Sequence, residues 1–176
     1  MQKHDFIYTA NFCEENIWQL GQRLITLGYT SQTLRVLMLS NAERHIALYQ
    51  QQQQPSPGQP IIWDYHVLLL ATDTQLIYDF DSRLPFPVSA ERYFQETLMS
   101  TTQANWWVWI RAIPLVKYLA HFTSDRSHML TSTTPPNIWP DYPPIMASAA
   151  PVTLMAYLDF EQSLEGCDVF RADHYE

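Results

Sequence analysis

The sequence predicts an α+β protein, an antiparallel sheet packed with helices, on three observations. Between residues 13 and 27 the apolar side chains Ile17, Leu20, Leu24 and Leu27 recur at the period of a helix buried along one face. Ile61 to Ala71 and Leu76 to Phe80 are apolar runs separated by Thr72-Asp73-Thr74-Gln75, the make-up of a β-hairpin. The remaining segments mix helical and extended patterns with no internal repeat, as expected of an α+β architecture.

In chain order, Asn11 is a candidate N-cap and Glu14, three residues on, gives a capping-box-like pattern, so Cys13 is expected at the second position of the first helix. A sulfur placed there lies near the positive end of the helix dipole, which favours the thiolate. Thr33 to Leu39 reads as a strand or a short helix, Asn41-Ala42-Glu43-Arg44 as a turn, and Ile46 to Tyr49 as a short apolar piece. Gln50 to Pro60 opens with five consecutive glutamines and continues Pro-Ser-Pro-Gly-Gln-Pro, loop chemistry with no chemical role expected of the glutamines. Ile61 to Ala71 is expected to be one buried strand, Leu76 to Phe80 its partner, and Leu84-Pro85-Phe86-Pro87 the break after it. Ala90 to Met99 reads as a helix, Trp106 to Ala112 as a strand, and Pro114 to Phe122 as a helix with proline in its first turn. A polar segment from Ser124 to Met129, a proline-rich loop from Pro135 to Pro144 and a short helix near Val152 to Leu158 complete the chain.

Composition narrows the function classes. At 176 residues, 47% of them hydrophobic, the chain can bury a real core and is expected to form a single domain over residues 1–176. A net charge of −8, with ten Lys and Arg scattered along the chain, weighs against a nucleic-acid partner. The N-terminus has no apolar signal run and the longest apolar stretch is too short to span a bilayer, so no membrane partner is expected. Two distant cysteines, Cys13 and Cys167, fit a soluble protein of a reducing compartment. Cys167, His121 and His128 lack the close spacing that would join Cys13 and His66 in a zinc site, so no metal is expected. Four glycines leave no phosphate-binding loop.

The chemistry-bearing residues are Cys13, His66 and an acid after the hairpin turn. A thiol, a base to take its proton and a carboxylate to orient the base make an acyl-transfer site. If the turn centres on Asp73 and Thr74, paired residue numbers sum to 147, which sets His66 opposite Asp81 with Asp79 one diagonal step away. A two-residue slip to 145 sets it opposite Asp79 instead. Parity therefore supports an acid beside His66 and leaves Asp79 and Asp81 both open. Glu14 and Glu15 count against the thiolate, because adjacent negative charge disfavours it. They must point away or serve another purpose. The Ser124–Met129 segment reads as a loop with an Asp125–Arg126 charge pattern, or alternatively as a wall of the site.

The blocks Cys13-Glu14-Glu15-Asn16-Ile17-Trp18, Trp63-Asp64-Tyr65-His66-Val67, Tyr78-Asp79-Phe80-Asp81 with Leu84-Pro85-Phe86-Pro87, and Ser124-Asp125-Arg126-Ser127-His128-Met129 resemble the protein N-terminal glutamine amidohydrolase family. The likeness runs in order from about residue 7 to 145, through Tyr142-Pro143-Pro144, and fades from Ala147. It implies a papain/transglutaminase-like cysteine amidase fold and conversion of an N-terminal glutamine of a protein to glutamate with release of ammonia. It assigns the catalytic roles to Cys13, His66 and Asp79, and makes Asp81 a neighbour. It further implies no cofactor, a monomer acting on proteins or peptides with a free N-terminal glutamine, and a cytoplasmic location, with a nuclear one in addition in a eukaryote, where the product feeds the N-degron pathway. Such a substrate brings an α-ammonium, for which Glu14, Glu15, Asp64 and Asp125 are the candidate carboxylates. A transglutaminase-like acyltransferase, a deamidase of internal glutamines, and a non-catalytic reader of protein N-termini are the alternatives.

Overall fold

A computed structural model describes residues 1–99, 101–130 and 136–174, and of His128, Leu130 and His174 the backbone alone. Its elements are helix α1 (Cys13–Thr26), strands β1 (Leu34–Ser40), β2 (Ile46–Leu48), β3 (Ile61–Trp63), β4 (His66–Ala71), β5 (Leu76–Tyr78) and β6 (Val88–Ser89), helix α2 (Ala90–Thr97), strand β7 (Trp109–Pro114), helices α3 (Leu115–His121), α4 (Ser127–Leu130) and α5 (Leu154–Tyr157), and strand β8 (Asp168–Arg171). Six strands form one sheet in the order β6-β5-β4-β1-β7-β8, and β2 pairs with β3 in a second, two-stranded sheet. Every pairing between named strands is antiparallel. The α+β class is as the sequence implied.

Strands β1 and β4 carry the continuous apolar runs Val36–Leu39 and Val67–Ala71 because both faces of the sheet are covered there. Val36, Met38, Val67, Leu69 and Ala71 face Ile17, Leu20 and Leu24 of α1 and Leu115 and Tyr118 of α3. Leu37, Leu39, Leu68 and Leu70 face the other way, toward Tyr93 and Phe94 of α2 and Ile46 and Leu48 of β2. Side chains alternate between the two layers as the strand period requires. Ile17, Leu20 and Leu24 are almost wholly buried, and each such side chain contributes about 1.5–3 kcal/mol by leaving water. Gly21 lets α1 approach α3 closely: a Cβ there would come 2.5 Å from Leu115 Cδ1.

Several expectations need correction. Helix α1 starts at Cys13, with Phe12 as N-cap and no side-chain cap. Asn11 instead turns the chain with φ 68°, and the loop is clamped from inside the helix. Asn16 Nδ2 donates to the Thr9 carbonyl at 2.7 Å, and Thr9 N–H donates to Asn16 Oδ1 at 2.8 Å. Leu27 lies beyond the helix and is 48% exposed. The expected strand from Ile61 to Ala71 breaks at Asp64–Tyr65, where Asp64 Oδ1 accepts the Tyr65 N–H at 3.0 Å, a local bond that competes with the ladder. Its halves β3 and β4 therefore join different sheets. The strand expected at Trp106 starts at Trp109, residues Ala104–Trp106 forming a 3₁₀ turn. Pro114 is the N-cap of α3, just ahead of its first turn. The polar segment after Ser124 begins a helix, α4. Strand β8, too short and polar to be read in advance, pairs with β7 at the sheet edge. Pro135 and the side chain of His128 lie outside the described residues.

Candidate active site

The N-terminus of α1 abuts the start of β4, and this junction brings the chemistry together. The Val67 backbone N–H, next in chain to His66, favours the charged form of the Cys13 sulfur. Cys13 is deeply surrounded yet keeps part of its surface open to solvent. Tyr118 of α3 fixes the first helical turn by donating its hydroxyl to the Glu14 carbonyl at 3.0 Å. Burial pushes the Cys13 thiol well above its ordinary pKa; Glu14 and Asp81 add to this, and the Val67 N–H works against it. In the free protein the sulfur is a thiol, donating to Glu14 Oε2 at 3.5 Å.

The hairpin register sums to 147, with Leu69 opposite Tyr78 and Ala71 opposite Leu76. Extended by parity, this would leave His66 facing Asp81. The ladder ends at Tyr78, however, and Asp79 curls back to accept the Asp81 N–H at 2.9 Å, a local Asp turn. That turn delivers Asp79 Oδ1 to His66 Nε2 at 3.0 Å, both side chains almost fully buried. Tyr93 donates to Asp79 Oδ2 at 2.7 Å and Gln51 Nε2 to the same oxygen at 3.3 Å. Although burial disfavours its charge, the imidazole and these donors hold Asp79 below the usual carboxylate range. An ionised carboxylate only accepts, so His66 Nε2 carries the proton and Nδ1 is the basic nitrogen. Burial opposes the imidazolium, but Asp79 outweighs it and raises the pKa of His66. Trp63 stacks on the ring, centroids 5.9 Å apart.

Asp81 is a buried neighbour whose Oδ1 accepts the Tyr8 hydroxyl at 2.6 Å. Lys3 Nζ caps the same turn on the carbonyls of Phe80 and Ser82. Ligand atoms of His66, Asp79 and Asp81 lie within 4.8 Å of one another, the geometry of a small metal site. The Asp79 oxygens already accept four protein donors, so this set is spent on hydrogen bonds.

The two awkward glutamates have different fates. Glu15, fully buried, takes a two-pronged bond from Arg126, Nε to Oε1 at 2.8 Å and Nη2 to Oε2 at 2.5 Å. Arg126 is itself held between the rings of Phe12 and Tyr142. Glu14, 5% exposed, receives the Tyr65 hydroxyl at 3.1 Å and the thiol. Asp64 and Asp125 are exposed. The Ser124–Met129 segment is thus a wall of the site through Arg126, which the loop reading missed. Gln51 is fully buried on Asp79, and Gln52 Nε2 donates to the Phe80 carbonyl at 2.9 Å, so the glutamine run is a brace for the acid's turn. Local sequence carried no sign of Gln51 or Tyr93, whose partner Asp79 lies 28 and 14 positions away, and the alternative reading of the Arg126 segment as a wall did not name Glu15, 111 positions away.

A thiol at a helix start thus sits on the helix packed against the strand that carries a buried imidazole–carboxylate pair, at one end of an antiparallel sheet. A family model for N-terminal glutamine amidase matches residues 8–175, and the chain belongs to that family. The match extends almost to the C-terminus, well past Ala147, where the expected likeness ends. The chain is 36% identical to a Danio rerio protein over 132 residues, 72% of this chain and 65% of that protein. It is 33% identical to proteins of Bos taurus and Homo sapiens over 165 residues, 88% of this chain and 78% of theirs. All three are named protein N-terminal glutamine amidohydrolase. No described helix is long and apolar enough to cross a membrane.

Proposed function

We propose that this protein hydrolyses the side-chain amide of an N-terminal glutamine in proteins or peptides, giving N-terminal glutamate and ammonia. The family match over residues 8–175 carries this reading, and the grouping of Cys13, His66 and Asp79 supports its chemistry. In this reading residues 1–176 act as one catalytic domain with a papain/transglutaminase-like arrangement, a monomer working in the cytoplasm without cofactor or metal.

His66 Nδ1 takes the Cys13 proton as the sulfur attacks the amide carbon, and a tetrahedral intermediate forms. The first backbone N–H groups of α1 lack carbonyl partners within the helix and can hold the oxyanion. The imidazolium, stabilised by Asp79, gives its proton to the departing nitrogen; the C–N bond breaks and ammonia leaves a thioester. His66 then takes a proton from water, whose oxygen replaces sulfur on the acyl carbon, and the thiol is restored. Asp79 stays ionised throughout, holding the tautomer.

Ammonia release from peptides beginning with Gln, Asn and acetyl-Gln tests the reading. Turnover is expected with the free Gln peptide alone, and Cys13→Ala abolishes it without changing the unfolding temperature. Turnover retained by Cys13→Ala would refute the nucleophile. Equal rates on free and acetylated peptides would indicate a deamidase of glutamines in general, and incorporation of added amine an acyltransferase. Binding of free N-termini without any ammonia would make the protein a reader.

A further inference from the structure

We propose that Glu14 is both the receptor for the substrate's α-ammonium and the brake on Cys13 in the free protein, so that binding of a free N-terminus is what makes the thiol reactive. This rests on the proposed activity and assigns the residue that recognises the chain end and couples recognition to chemistry.

Charge balance singles out Glu14. Four buried carboxylates surround the junction of α1 and β4: Glu14, Glu15, Asp79 and Asp81. Among the described residues, Arg126 is bonded to Glu15, His66 to Asp79, and Lys3 lies on the turn that carries Asp81. Glu14 is the acid left without a cation of its own. Its Oε2 meets a phenol and a thiol, neither of them a cation, and burial raises its pKa even though its own backbone N–H and these donors work the other way. A buried carboxylate in this state gains most from a cation delivered by a ligand.

The spacing fits. Glu14 Oε2 is 3.5 Å from the sulfur. In a glutamine the amide carbon and the α-nitrogen are four bonds apart, roughly 4–5 Å in staggered conformers. A carbon at attack distance from sulfur, about 3–3.5 Å, leaves the ammonium room to reach Oε2 at about 2.7–2.9 Å. Acetylation or an internal position removes the charge and leaves Glu14 buried without a partner. An ammonium on Glu14 also cancels the nearest negative charge on the sulfur and displaces the acceptor of the thiol proton. Other titratable or charged groups close enough to influence Glu14 or the thiol are Tyr8, Glu15, Tyr65, His66, Asp81, Tyr118, Arg126 and Tyr142. Of these, Arg126 is committed to Glu15 and His66 to Asp79.

The test measures the pH profile of Cys13 alkylation by iodoacetamide in the Cys167→Ser protein, alone and with glycinamide, a small free-amino probe. Glycinamide should move the profile to lower pH by about one unit or more, and acetylated glycinamide should leave it in place. Glu14→Gln should show the lower-pH profile without any probe and respond to neither. On Gln peptides the same variant should lose about 100-fold or more in kcat/KM for the free terminus without a matching loss for the acetylated peptide, so that the preference for free termini collapses, the scale expected when a site loses its partner for a recognised polar group. Failure of glycinamide to shift the unsubstituted Glu14 protein would overturn the proposal, and this measurement does not depend on the variant folding. An unchanged preference for free termini in a folded Glu14→Gln would overturn it too. Absence of ammonia from every Gln peptide would instead remove the proposed activity, while the alkylation profiles would still decide the role of Glu14.

Discussion

Replacing Tyr93 by Phe removes one oxygen from the packed core and isolates what a single donor does for Asp79. Tyr93 is fully buried and its hydroxyl donates to Asp79 Oδ2 at 2.7 Å. The ring volume is kept, and Gln51 at 3.3 Å remains as a longer donor to that oxygen. A hydrogen bond to a charged group contributes about 1.5–3 kcal/mol, and for a domain of this size each kcal/mol moves the unfolding midpoint about 2–4 °C. The expected loss is therefore about 3–12 °C near neutral pH. The sign with pH follows from Asp79, whose folded pKa lies below its ordinary value despite burial. Its contribution is full above the unfolded carboxylate pKa of about 3.9 and is lost as pH falls through the folded value. Removing the phenol raises the folded pKa, so the gap between the two proteins is largest at neutral pH and narrows in acid. Urea unfolding of both proteins across this range measures it. A loss below about 0.5 kcal/mol at neutral pH, the level of an ordinary surface change, would refute an ionised Asp79 held by Tyr93, as would a larger loss that does not shrink in acid.

Two other substitutions probe the supports of the site. Arg126→Met leaves Glu15 buried and uncompensated and should destabilise the fold by about 3–5 kcal/mol in urea unfolding, whereas pairing it with Glu15→Met should restore most of that loss. A single variant as stable as the parent would mean that Glu15 has another counter-charge. Gln51→Leu should cost about 0.5–1.5 kcal/mol of stability and lower kcat with little change in KM, because it loosens the acid behind His66 and touches no substrate. Unchanged kcat in steady-state ammonia release would reduce Gln51 to a packing residue.

Much of the scaffold was legible because its signals are local and periodic. The buried face of α1 at Ile17, Leu20 and Leu24 follows from spacing alone, and the turn at Asp73–Thr74 correctly gave a hairpin register summing to 147. Parity kept two acids in play and could go no further, because the choice between Asp79 and Asp81 is made where the strand ends and the chain curls. The same limit explains the break at Asp64–Tyr65. An apolar pattern tells how buried a segment is, and even with Asp64 and His66 inside it nothing says that its two halves pair in different sheets. The glutamine run misled for a related reason: repeated polar residues read as solvated loop unless a distant carboxylate claims one of them, as Asp79 claims Gln51.

Glu14 and Glu15 show how such a conflict can be informative. Two acids beside a cysteine contradict the local logic of a thiolate at a helix start, and local rules fail most often at functional sites. The structure resolves half of the conflict by structural means, since Arg126 takes Glu15 out of the balance. It leaves Glu14 pressed against the sulfur, where burial first and the Glu14 charge after it push the Cys13 pKa up. For a general amidase that would be a defect. For the proposed enzyme of chain ends it would be a safeguard, because a protonated thiol would attack nothing until a cation arrives. The one cation that distinguishes a terminal glutamine from an internal one is its own α-ammonium.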